Sequence, residues 1–434
     1  MEKTALLAFR LFYGLCLLFA ALLPVGGKVN NLVLILLLAT WLLHTWATKS
    51  WHLISWRSEF WLAAGLFFIF VVGLLHTENL RQGFRDVEHK LALLAFPLIF
   101  LSQKILSTRQ VASICRVFAY ACLAVAVYIL SLSFWHYGQT QDATHLFYHQ
   151  LAAPVRMHAI MLSAYFALAI FRLLQDFLNP GNTHRLQKAG QLSGCLVLLT
   201  GLVLLSSKTI LFAFLVILFL GMVVYFSRKQ KAFTGFLAAV AVAVSLVLAI
   251  LLVPNLRQRV EEIAHSKLQV LEMERFEYDT EFSGLTIRLL FWKYALTLLE
   301  RDQAWLWGVG TGDSQDQLNA IYREHNLYSG NGTPQDVGYQ EYDTHNQFME
   351  TFLKLGLLGL AYLLFYVSRN LFLSFQKRHY LFAAFLLLFI IFSVTETTLQ
   401  ANKGIFFFAF FNCLFLLQIQ QETEDKETAK KSRH

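Results

Sequence analysis

The feature that most limits what this chain can fold into is a succession of apolar runs, each about 20 residues long and almost free of charge. A run of that length crosses the hydrocarbon core of a bilayer as a helix, because only a helix satisfies its own backbone polar groups there. Hydropathy gives about twelve such runs. They lie near 5–25, 29–48, 59–76, 89–103, 110–134, 154–176, 191–206, 208–226, 232–253, 346–368, 379–395 and 402–419. Composition agrees: 15% of residues are charged, against about a quarter in soluble domains. The chain therefore reads as an all-α polytopic membrane protein. Its first run follows Lys3 and Arg10 and gives way at once to a second run, with no A-x-A-type cleavage site. It reads as a retained first span, not a signal peptide.

The basic residues set an expected orientation. With the N-terminus cytoplasmic, the cytoplasmic connections hold Lys49, Arg57, Lys104, Arg109, Arg172, Arg185, Lys188, Arg228, Lys229, Lys231, Arg369, Lys377 and Arg378, and the tail adds Lys426, Lys430, Lys431 and Arg433. The short outer connections hold fewer: Lys28, Arg81, Arg85, Lys90, Arg156, Lys208 and Lys403. That bias obeys the positive-inside rule and predicts both termini inside, with an even number of spans. The net charge of +8 follows from these loops, and no basic surface interleaved with aromatics suggests nucleic acid. The five cysteines, Cys16, Cys115, Cys122, Cys195 and Cys413, all lie in apolar runs without metal-ligand spacing.

Four segments follow: an N-terminal bundle of about nine helices over 1–253, a long polar loop over 254–345, C-terminal spans over 346–419 and a solvated tail over 420–434. A loop of that length is functional or disordered, and helical periodicity here predicts order. LRQRVEEIAHSKLQVLEM (256–273) reads as an amphipathic helix, and GLTIRLLFWKYALTLLE (284–300) as another with Leu285, Leu289, Trp292 and Leu296 on one face. WGVGTGDSQ breaks helix. Its glycines resemble a phosphate loop but lack the following Lys-Ser/Thr, so a tight turn against neighbouring backbone is expected. The residues past Gln420 read as disordered.

The polar stretch DTHNQ (343–347) opens the tenth run. Thr344 and Gln347 have capping-box spacing, which predicts Thr344 at the N-cap and His345 on the first helical residue. The positive end of that helix would keep His345 largely neutral near pH 7 and able to accept a proton, with Asp343 or Glu341 to orient the ring. An interfacial polar cap without chemistry explains the same residues. Gly356 and Gly359 further along would let another helix approach. Arg288, among Leu, Ile and Phe, has a fork that suits phosphate, though on its own it also reads as a snorkelling side chain. Lys208, beside Ser206, Ser207 and Thr209, sits between two spans, where a cation binds phosphate or simply anchors the span. Arg81 and Arg85 run against the positive-inside bias and are candidates for an anionic headgroup. Glu396 and Lys403 bracket an outer turn and suggest a hairpin salt bridge. No metal motif, Walker motif or nucleophile elbow is present.

One arrangement is similar to a known family. His345-Asn346, then nine residues from Gln347 to Leu355, then Gly356-Leu357-Leu358-Gly359, matches the His-Asn/Ser/Gln, nine-residue, Gly-x-x-Gly/Thr/Tyr pattern of O-antigen ligases. The long loop, the WGVGTGD turn and the number of spans also resemble the O-antigen ligase and polymerase superfamily, well over 190–410 and by architecture alone before that. The resemblance implies a GT-C-like, metal-independent, inverting glycosyltransferase of the inner membrane, with no cofactor. Its donor would be an undecaprenyl-diphosphate-linked glycan, taken at the periplasmic face. Its acceptor would be a lipid A-core sugar for a ligase, or a growing glycan for a polymerase. On the family pattern His345 activates the acceptor and Arg288 holds the diphosphate. Lys208 stands where the family usually has arginine after serine, and Arg275 is a further loop arginine. A transporter or flippase is the alternative from span number alone, and it expects ionisable residues deep in the membrane.

Overall fold

The computed structural model describes residues 2–54, 56–178, 184–228, 268–277, 280–331, 333 and 336–431, with scattered positions between 233 and 247. The described residues form helices α1 (Glu2–Leu22), α2 (Val29–Ala47), α3 (Ser58–Val72), α4 (Leu80–His89), α5 (Ala92–Leu101), α6 (Thr108–Thr140), α7 (Tyr148–Ala152), α8 (Ala159–Leu178), α9 (Arg185–Leu204) and α10 (Lys208–Arg228). Then come α11 (Gly284–Arg301), α12 (Ser314–Glu324), α13 (Gln347–Gln376), α14 (Tyr380–Ser393) and α15 (Asn402–Lys431). No strand occurs among them, and nine are long and apolar enough to span a membrane. The protein is a multi-pass, all-α membrane protein. Most of the span expected over 232–253, and residues 256–267 of the amphipathic helix expected over 256–273, lie outside the described residues. Over 268–272 the chain is a short 3-10 turn.

Lipid supplies no hydrophobic drive between helices, so packing must hold the bundle together. The phenylalanines of α15 do this. Phe410 meets Phe19 of α1 at 4.8 Å and Phe96 of α5 at 5.4 Å, Phe411 meets Phe118 of α6 at 4.8 Å, and Phe407 meets Phe385 of α14 at 5.2 Å. Helices α15 and α8 are the most enclosed spans, while α1, α9 and α10 keep broad faces for lipid. The tail is not the free end expected. Helix α15 continues to Lys431, and Glu424 is tied to Arg57 (2.7 Å) and Lys104. Two basic partners on other elements supply what composition alone did not show.

The loop domain has its own core. Leu290, Phe291, Tyr294 and Leu298 of α11 pack with Leu318, Ile321 and Tyr322 of α12. This corrects the face assigned to α11: Leu285 and Leu296 are exposed, and Leu289 and Trp292 only half-buried. The helix is apolar nearly all round, so periodicity alone did not choose its buried side.

Helix α13 is broken at Gly356, whose φ is +62° and ψ −163°. Residues 305–310 dock their backbone into the break. Val309 N–H donates to Leu353 O (2.8 Å), Gly310 N–H to Lys354 O (3.1 Å), and Leu357 N–H to Trp305 O (2.8 Å). A Cβ on Gly356 would lie 2.3 Å from the Leu306 carbonyl, and one on Gly308 2.4 Å from the Leu355 nitrogen. Gly356 therefore admits a loop, not the helix expected. The WGVGTGD segment is the tight backbone junction its glycines suggested.

Candidate active site

The N-terminus of α13 is capped by Asn346, whose Oδ1 accepts from the N–H groups of Phe348 (2.9 Å) and Met349 (3.1 Å). The expected cap at Thr344 is thus displaced by two residues. An Asn in extended backbone reaches both donors, which frees Thr344 and Gln347 for tertiary bonds. The Thr344 hydroxyl lies 3.0 Å and its N–H 3.3 Å from Glu350 Oε2, and Gln347 Oε1 accepts from Leu399 N–H at 2.6 Å.

His345 consequently lies just outside the helix, in left-handed backbone at φ +47°. Its N–H donates to Asp343 Oδ1 (2.9 Å), and Asp343 Oδ2 accepts from the Thr397 hydroxyl (2.5 Å). Trp292 of α11 donates from Nε1 to Thr344 O at 2.9 Å. The ring lies near Phe291 and Tyr342, with centroids 6.2 and 5.4 Å away. Nδ1 is buried, 3.7 Å from Glu396 Oε2 and 3.9 Å from Asp343 Oδ1. These are ion-pair distances, too long for hydrogen bonds.

Arg288 reaches the same carboxylate from α11. Nη2 donates to Glu396 Oε1 (3.0 Å), Nε to Thr395 O (3.2 Å), and Nη1 back to Gly284 O (2.7 Å). Glu396 therefore bridges Arg288 and His345. Burial would raise its carboxyl pKa, but the His345 ring and Arg288 outweigh burial and hold it below the ordinary value. The expected pairing of Glu396 with Lys403 is not formed. Lys403 instead lies 3.2 Å from Asn30 Oδ1 and also reaches Val25 O, so it ties α15 to the α1–α2 turn.

Sequence reasoning missed the reach of the turn 395–400, TETTLQ. The Thr395 hydroxyl meets Thr209 at 3.1 Å, and Thr397 and Glu396 hold the His345 segment. Gln400 Oε1 accepts from both Lys90 and Lys354 at 3.1 Å. The signal was present: five polar residues in six between two apolar spans. His158, at the head of α8, was also missed. It lies within electrostatic reach of Glu396, His345 and Arg288 and packs against His149 at 4.7 Å.

A second polar cluster lies behind the site. Lys354 Nζ is 2.6 Å from Asp86 Oδ2 and 3.4 Å from Glu350 Oε1, and Lys90 lies over the Phe70 ring at 4.7 Å. Burial would raise Asp86, but Lys354 and Lys90 hold its carboxyl below the ordinary range. Among the described residues no group of three or more His, Cys, Asp or Glu is arranged to hold a metal ion.

The other sequence candidates divide. Lys208 begins α10 next to Thr209, whose hydroxyl bonds to that of Thr395, the residue before Glu396. Arg81 and Arg85 lie on the exposed face of α4, whose inner face carries Asp86. Arg275 is exposed on the loop domain, next to Phe276 in that domain's core. No described contact joins Arg81, Arg85 or Arg275 to His345.

Residues 193–364 match the family model for O-antigen ligase. The chain carries an O-antigen ligase domain. That domain runs from α9 through the loop and across the break in α13, and so contains Lys208, Arg275, Arg288, His345, Gly356 and Gly359. Glu396, Arg81, Arg85 and His158 lie outside the matched residues. No curated protein matched the chain.

Proposed function

We propose that this O-antigen ligase domain transfers a glycan from undecaprenyl diphosphate to a hydroxyl of a lipid A-core sugar at the periplasmic face of the inner membrane. The observation that carries the reading is one convergence. A histidine just ahead of a helix cap lies beside two carboxylates, one of which also holds an arginine, and the four residues come from three separate segments. With Asp343 and Glu396 ionised against Arg288, the cluster carries one excess negative charge, which an imidazolium would balance. Nδ1 faces the carboxylates, so an Nδ1–H tautomer leaves Nε2 as the proton acceptor.

In the step proposed, the acceptor O–H gives its proton to Nε2 of His345 while its oxygen attacks the anomeric carbon. The bond from that carbon to the diphosphate oxygen breaks, and the electron pair leaves with the diphosphate. Attack opposite the leaving group inverts the centre. Arg288 and Lys208 stabilise the charge that develops on the diphosphate, which is electrostatic catalysis. Because the donor is already activated, the reading needs neither a nucleotide nor a metal ion. Arg275, Arg81 and Arg85 stand farther out, as contacts for glycan or lipid headgroup.

The transporter reading expects ionisable groups along a path. Lys90, Asp86, Glu350 and Lys354 are buried, but they are bound to one another, to Gln400 and to Thr344. They brace the site and mark no path.

The test is the lipopolysaccharide of a deletion strain carrying wild-type or His345→Ala protein at equal levels. A ligase predicts core without O-antigen in the variant, with lipid-linked polymer accumulating, and transfer reduced by at least about 10²-fold. A single capped repeat unit would instead identify the polymerase reaction. Normal attachment in the variant would remove His345 from the mechanism.

A further inference from the structure

The fork of Arg288 is already partly occupied. Its Nη2 holds Glu396 Oε1, and Nε and Nη1 hold two backbone carbonyls, so three of its five N–H donors are in use. The Glu396 carboxylate thus engages a donor of the fork that a phosphate oxygen could otherwise take. The other oxygen of the same carboxylate is 3.7 Å from His345 Nδ1, just beyond hydrogen-bond length, and that nitrogen is buried without a hydrogen bond. One carboxylate is thus shared unequally between the phosphate-binding group and the base.

We propose that Glu396 is an exchange carboxylate: the donor's diphosphate displaces it from Arg288, and it then closes on His345 and raises that residue's basicity. The proposal rests on the reading of Arg288 as diphosphate ligand and His345 as base.

The competition favours the donor. A diphosphate carries more charge than a carboxylate and offers several oxygens to a planar fork. Once Arg288 turns to it, Glu396 has lost its cation. The nearest group able to replace that cation is His345, a shift of less than 1 Å from the present separation. A hydrogen bond from Nδ1–H to a carboxylate fixes the tautomer and strengthens Nε2 as a base. The neighbours on other elements are compatible with this exchange. Asp343 is held by Thr397 and by the His345 backbone and does not follow, and Thr395 keeps its bond to Thr209. The consequence is order: the base is fully active only when donor is bound, so an acceptor hydroxyl is activated only when there is a glycan to receive.

The experiment uses the purified full-length protein in lipid nanodiscs, with undecaprenyl diphosphate as the binding probe and the native lipid-linked glycan as substrate. Glu396→Gln removes the competing charge. It is expected to bind undecaprenyl diphosphate about tenfold more tightly than wild type and to turn over at least about tenfold more slowly. A residue that only braces the fold would weaken binding and turnover together. Glu396→Asp, which keeps the charge but draws it back from Arg288, is the second variant and is also expected to bind more tightly than wild type. If both variants bind equally or more weakly while Arg288→Gln binds more weakly, the exchange is overturned and the reading of Arg288 stands. If Arg288→Gln binds undecaprenyl diphosphate as well as wild type, that reading itself fails, and the exchange fails with it.

Discussion

Glu396 shows why a site of this kind is only partly readable residue by residue. Arg288 stood out because it interrupts apolar surroundings and His345 because it sits in a polar stretch that opens an apolar run, and the structure brings both to one carboxylate. Glu396 was visible only as the acid of a short turn, because its partners come from elements far away in the chain. Its depressed pKa also makes a stability prediction. A carboxyl with a folded pKa below its unfolded value contributes stability that is complete above the ordinary carboxylate range and is lost as pH falls through the folded value. At neutral pH, Glu396→Gln should therefore melt at a lower temperature than wild type, by the equivalent of about 1–3 kcal/mol. The gap should hold down to the ordinary carboxylate range and close below it. Melting curves in detergent across acid pH check this. A gap that closes between pH 6 and 8 would assign the effect to a histidine instead.

At the scale of elements, the decisive one is α13. Its start and its two glycines were legible, but the reason for them was not. Capping rules placed Thr344 at the N-cap because its spacing to Gln347 fits, yet Asn346 fills that role and Gln347 pins the α14–α15 turn. Spacing rules read Gly356 and Gly359 as a helix contact, yet the helix is broken there and a loop enters. A sequence shows which residue is small and not what approaches it. The break joins the WGVGTGD loop to the helix that presents His345, so the two family features form one mechanical unit. Gly356→Ala tests this unit. A left-handed φ costs a non-glycine residue about 1–3 kcal/mol, and its Cβ would also meet the Leu306 backbone at 2.3 Å. The variant should melt earlier by at least that much and lose transfer activity. Gly14→Ala in α1, where a Cβ meets nothing within 4 Å, should change neither. Equal effects of the two substitutions would show that the break is not required.

At the scale of the molecule, the spans were legible because twenty apolar residues are a long, redundant signal. The charge bias sorted their connections into two sets, and the structure holds each set together. At one end Lys403 ties to Asn30, Gly26 N–H to Val155 O, Thr209 to Thr395, and Glu78 N–H to Asp313. All of these lie in connections expected outside or at the span ends next to them. At the other end Arg57 and Lys104 hold Glu424, Arg369 holds Glu59, and Arg228 lies over Tyr380. These basic residues are the ones expected inside. The site and the loop domain belong to the first end. The positive-inside rule then predicts which end faces the cytoplasm. All five native cysteines are buried, so single new cysteines report their side without background. Glu300→Cys on α11 and Gln376→Cys at the far end of α13 are both exposed positions on opposite ends of the bundle. In spheroplasts a membrane-impermeant maleimide should label the first at once and the second only after the membrane is opened. The reverse pattern would put the end that carries His345 in the cytoplasm. There it could not meet a donor presented at the periplasmic face, and the proposed reaction would fail with the orientation.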